Sequence, residues 1–170
     1  MKFMNLWNYY NNKSNQLKYP NVLKDILNHS HEKEIAKTNP KWAFEYASEH
    51  GRDKELEPII AKSAAYSFKY TYEILHNKPF PLGEPAIAKD AYLAYSYARY
   101  ILKGPFKLGE EAIASGPWES LYYAKTILNG PFKLGEPAIA KVEKYSKEYT
   151  QDVLKKDFIL DGKLICKYEG

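Results

Sequence analysis

The chain has 170 residues, 25 Lys and Arg against 21 Asp and Glu for a net charge of +4, 10 Pro, 9 Gly and one Cys. That length sets a single domain as the prior, and the lone Cys166 excludes an intramolecular disulfide and a Cys-rich metal site. The opening MKFMNLWNYYNNKSNQ has no apolar stretch of signal-peptide length, and nowhere do about 18 apolar residues run together, so the expected location is cytoplasmic with no membrane partner.

In chain order, the first element is predicted over residues 20–32, PNVLKDILNHSHE. There Val22, Leu23, Ile26 and Leu27 fall at helical spacing and read as a worn repeat copy that covers the units after it. Residues 1–33 are therefore expected to be an N-terminal segment with a capping helix.

From residue 34 the chain repeats itself. Gly83–Leu108 reads GEPAIAKDAYLAYSYARYILKGPFKL, Gly109–Leu134 reads GEEAIASGPWESLYYAKTILNGPFKL, and Gly135 begins GEPAIAKVEKYSKEYTQDVLKK, a period of 26. Weaker copies start at Glu57 and Glu34, which makes five units. Aligned on the small residues Ala47, Thr71, Ala98, Ala124 and Thr150, the copies keep Tyr one place earlier, at Tyr46, Tyr70, Tyr97, Tyr123 and Tyr149. Four places before the small residue comes a second small column, Ala43, Ser67, Ala94, Ser120 and Ser146, and after it an Ile/Val–Leu pair such as Ile101 and Leu102. Positions at i, i+3, i+4, i+7 and i+8 form one stripe of an α-helix.

Ser63 and Asp90 sit where an N-cap opens this helix, Pro40 and Pro117 take its first turn, and Gly104 and Gly130 are expected to close it. Phe80, Phe106 and Phe132 then plug the gap between helices, and GE(P/E)AIA starts a second, shorter helix with Glu at its positive end. The repeated Tyr is expected to bury its ring and send its hydroxyl to a backbone group or to water. The expected fold is all-α: a helix-turn-helix repeat array, an α-solenoid over residues 34–156, because one helix pair alone cannot bury its stripe.

The last segment, 157–170, contains FILDGKLICKY, in which Asp161 and Gly162 between two apolar runs predict a type I′ hairpin. The hairpin either caps the stack or offers Ile159, Leu164 and Ile165 as an edge for a homodimer.

The residues GEPAIAKDAYLAYSYARYILKGPFKLGE resemble a class of short repeats, E-x-A-I-A-x(n)-A-Y-x-Y-A-x-x-(I/V)-(I/L)-x-G-x-(F/W), found mostly in proteins of tailed bacteriophages and related mobile elements. The match covers residues 34–156 and is clearest over 83–134. The resemblance implies a phage-encoded accessory protein that acts in the bacterial cytoplasm on host defence or host metabolism. It transfers no catalytic residue.

The residues themselves carry no enzymatic signature. His29 and His31 at i and i+2 point to different sides of a helix, a poor metal pair, and Glu84, Glu110, Glu111 and Glu136 read as helix-start residues. Cys166 beside Lys163 and Lys167 reads as a buried small hydrophobe rather than a reactive thiol. GxSxG, HExxH, GxGxxG and P-loop patterns are absent, so no catalytic residue, metal or cofactor is expected.

The functional signal lies in columns that vary while the core columns stay fixed. Six before, two before and one after the small residue share a side of the long helix. That row reads Ala65, Lys69, Tyr72; then Tyr92, Ser96, Arg99; then Trp118, Tyr122, Lys125. Rings and cations together suit a protein partner, and the first expectation is a non-enzymatic binder that captures a host protein. The alternative is a nucleotide signal or nucleic acid, stacked on the rings and held by the cations. The third is a structural component assembled through its termini.

Overall fold

A computed structural model describes residues 29–170. The helix expected over residues 20–28 and the side chains of His29 and His31 lie outside the described residues. The described chain is mostly helical and ends in a small antiparallel hairpin.

Helices α1 (His29–Ala36) and α2 (Pro40–His50) come first and contact each other. Four pairs of a short and a longer helix follow: α3 (Glu57–Ile60) and α4 (Ala64–Glu73), α5 (Glu84–Ile87) and α6 (Ala91–Ser96), α7 (Glu110–Ser115) and α8 (Pro117–Tyr123), α9 (Glu136–Ile139) and α10 (Glu143–Glu148). The chain closes with β1 (Phe158–Leu160) and β2 (Lys163–Cys166).

Local chemistry sets the starts. The Asn39, Ser63 and Asp90 side chains accept the N–H groups of Trp42, Tyr66 and Leu93 at 3.0, 3.5 and 2.8 Å. Pro40 and Pro117 occupy the first helical position, where a missing N–H costs nothing. The ends differ from expectation. Rather than three to four uniform α turns, α6, α8 and α10 widen into π turns over Tyr97–Leu102, Ala124–Leu128 and Tyr149–Leu154. The stop is made one residue before the expected glycines, at Lys103 and Asn129 with left-handed φ of 52 and 47°, and Lys155, followed by Lys156, does the same at 51°. The Gly104 and Gly130 amides then reach back to the Ala98 and Ala124 carbonyls at 3.1 Å.

The shared columns form the core. Tyr70, Tyr97, Tyr123 and Tyr149 are fully buried, as are Ala47, Thr71, Ala98, Ala124 and Thr150. Ser67, Ser120 and Ser146 donate to the carbonyls of Ile60, Ile113 and Ile139 at 3.2, 3.0 and 3.1 Å, tying each long helix to the short one before it. Of the Ile/Val–Leu pairs only Leu75 and Ile101 are buried; the rest are half-buried. Gly109 and Gly135 are fixed by close approach, since a Cβ there would lie 2.6 and 2.5 Å from the Phe106 and Phe132 rings.

In the hairpin, Asp161 and Gly162 have φ of 51 and 77°, as a type I′ turn demands. Phe158 is fully buried, and β2 contacts α10. Of the three apolar residues expected at an open edge, Ile159 and Leu164 pair across the strands and are exposed, whereas Ile165 packs against the core. Among the described residues no helix is long and apolar enough to cross a membrane.

Candidate functional site

Each buried tyrosine joins two connectors. The Tyr97 hydroxyl accepts the Phe80 N–H at 2.9 Å and donates to Glu84 at 2.8 Å, while its ring lies 5.1 Å from Phe106. Tyr123 repeats this with Phe106, Glu110 and Phe132, and Tyr149 with Phe132, Glu136 and Phe158. Burial pushes all of these phenols, and Tyr70, well above the ordinary tyrosine range, with the neighbouring carboxylate acting in the same direction. Glu84, Glu110 and Glu136 are thus more than helix-start residues. Their second role is visible only as a Tyr 13 residues downstream of each Glu.

The expected row of variable residues divides. Tyr92, Trp118 and Tyr122 come together: the Trp118 ring is 6.5 Å from Tyr92 and 4.7 Å from Tyr122. Tyr92 is 59% exposed, and the other two are half-buried. Ser96 does not belong to this surface. It is buried, and Tyr95 instead supports the cluster with its ring edge-on to Trp118 at 5.2 Å. Counting i+4 from Tyr92 selects Ser96, but the side that meets the next helix runs through i+3, at Tyr95, to Arg99.

Arg99 donates to the Tyr95 hydroxyl and lies over the Tyr100 ring at 5.5 Å. Lys125 lies 5.7 Å over Tyr122 and is held between Asp152 and Glu148, both at 2.6 Å, which raise it above the ordinary lysine range. Lys69 sits apart, over Phe44 and Tyr66, and Tyr72 and Ala65 are exposed. The structure therefore brings together Tyr92, Arg99, Trp118, Tyr122 and Lys125 around Tyr95.

Elsewhere the chemistry is spare. Among the described residues no group of three His, Cys, Asp or Glu is placed to hold a metal ion. Cys166 is half-buried rather than buried, in a hollow of about 660 Å³ with Lys141, Lys147 and Lys167. No family model, curated protein or solved structure matches this chain.

Proposed function

We propose that the chain is a non-enzymatic helical-repeat binding protein, its units stacked as an α-solenoid, that captures a host protein as a phage accessory factor in the bacterial cytoplasm. The observation that carries this reading is the run of rings Tyr92–Trp118–Tyr122, with Tyr92 exposed and the other two half-buried, at positions that change between copies while their neighbours in the core do not. Aromatic side chains of this kind give large contacts at small entropic cost, and Arg99 adds directional donors at the rim. A nucleotide is the weaker fit, because Lys125 is already neutralised by Glu148 and Asp152. A phosphate would then meet a local field with two carboxylates in it.

The test is affinity capture from a bacterial lysate with the wild-type protein and a Tyr92→Ala/Arg99→Ala variant. The exposed pair can be changed without loss of helix, and the captured host protein should disappear with it. Undiminished capture by the variant would sink this contact surface. Recovery of a nucleotide with no protein would replace the reading by sequestration.

A further inference from the structure

Most large apolar columns that the copies share are buried, but one is exposed. Leu82, Leu108 and Leu134, each two residues after the connector phenylalanine, are 54, 57 and 52% exposed. Many other positions outside the core drift between the copies beginning at residues 83 and 109: Tyr92 becomes Trp118, Arg99 becomes Lys125, Tyr100 becomes Thr126, Lys103 becomes Asn129, while Pro105 and Lys107 recur as Pro131 and Lys133. A leucine left this exposed gains only part of what full burial would give. It is nevertheless kept three times.

The leucines are also held in place. Beside each lies a buried Phe packed on a tyrosine ring and a glycine that the Phe ring covers. The same connectors are basic. Lys78, Lys103, Lys107, Lys133, Lys155 and Lys156 are all exposed, against one acid, Asp157, whose carboxylate accepts the Tyr168 N–H. Lys107 and Lys133 reach Glu110 and Glu136 at 3.0 and 3.1 Å, but the other four have no carboxylate partner among the described residues. At the C-terminal end, a hollow of about 370 Å³ brings Lys133, Lys156 and the exposed Ile159 together with Glu136 and Asp157.

We propose that this connector edge docks an acidic amphipathic helix of a partner protein. Apolar side chains at every seventh position would seat beside Leu82, Leu108 and Leu134, with carboxylates opposite the lysines. The spacing selects a helix. Successive long helices α4, α6, α8 and α10 contact one another, helices in contact lie about 8–10 Å apart, and the proposal sets the leucines on that step. Seven residues of α-helix advance about 10.5 Å. An extended chain returns to the same face every ~7 or ~13 Å and falls out of step.

The probe is a labelled synthetic helix of about three heptads with Leu at each seventh position and Glu on its flanks, titrated with the full chain and read by fluorescence anisotropy. Saturable binding is expected, weakened roughly tenfold or more in a Leu82→Gln/Leu108→Gln/Leu134→Gln variant and absent for a probe with Lys in place of Glu. Tyr92→Ala should leave it unchanged, which separates this edge from the aromatic surface. Should the triple variant fold poorly, Lys103→Glu/Lys156→Glu carries the same comparison without touching an apolar residue. No saturable binding of the Glu probe, or equal binding by either variant, would overturn the proposal. So would wild-type retention on phosphatidylglycerol vesicles in place of the peptide, since the edge would then be a lipid contact.

Discussion

Between α2 and α3 the connector reads GRDKEL, whereas the three later connectors end in PFPLG, PFKLG and PFKLG before the shared Glu. In the later ones a Phe N–H donates to the tyrosine hydroxyl, and a Gly makes room for the Phe ring. The first has neither residue. Leu56 stands at the Gly position and is fully buried, and the Arg52 guanidinium bonds Glu57 at 2.7 Å beside the Tyr70 hydroxyl at 3.1 Å. The invariant part of the link is therefore Tyr and Glu. Its third partner is exchangeable, between a buried amide that salt cannot screen and a half-exposed cation that salt can.

The strongest way to break a regular link is Tyr123→Ala, which removes the ring on Phe132 and both polar bonds at once. A loss of about 3–5 kcal/mol is expected in urea unfolding. Next comes Gly135→Ala, whose new Cβ would meet the Phe132 ring and the Ser120 side chain at 2.5 Å. Overpacking of this kind should cost about 1–3 kcal/mol. Tyr97→Phe keeps the ring but leaves the Phe80 N–H and the Glu84 carboxylate one partner short, a cost also of about 1–3 kcal/mol. A Tyr97→Phe variant as stable as wild type would show that water replaces the hydroxyl.

Alkali sharpens the same contrast. Each buried phenol ionises at higher pH in the folded chain than in the unfolded one. The stabilisation this represents is complete below the ordinary tyrosine value of about 10 and is lost as pH climbs from there toward the folded value. Absorbance at the phenolate band should show these tyrosines resisting titration until the helical signal falls. The smallest effect is expected from Arg52→Ala. It should lower the melting temperature less than any change above, and the difference from wild type should shrink in molar salt, whereas that of Tyr97→Phe should not.

Much of this was legible in the chain because the repeat supplies its own alignment. Columns that agree in five copies, such as Tyr97 with its equivalents and Ala98 with its equivalents, turned out to be buried. Three features escaped that reading for separate reasons. The long helices end in π turns at Tyr97–Leu102, Ala124–Leu128 and Tyr149–Leu154, and no period of 3.6 anticipates a wider last turn. Tyr95 was passed over in favour of Ser96 because a uniform helical wheel cannot say which side of Tyr92 meets the neighbouring helix. Phe158 was hidden because Asp157 replaces the Pro that precedes Phe80, Phe106 and Phe132.

That last residue has a consequence for how long such a chain can be. Phe158 meets the Tyr149 ring at 5.3 Å, as Phe132 meets Tyr123 at 5.0 Å, yet it is delivered by a strand that turns back at Asp161 and Gly162. The hairpin speaks the same contact language as a further unit but offers no tyrosine for another to follow. Its Phe–Tyr contact matches those made at Tyr97 and Tyr123. Excising residues 109–134 should therefore splice Leu108 onto Gly135 with each remaining junction intact, and the count of units becomes a quantity that duplication or deletion can tune without redesigning either end.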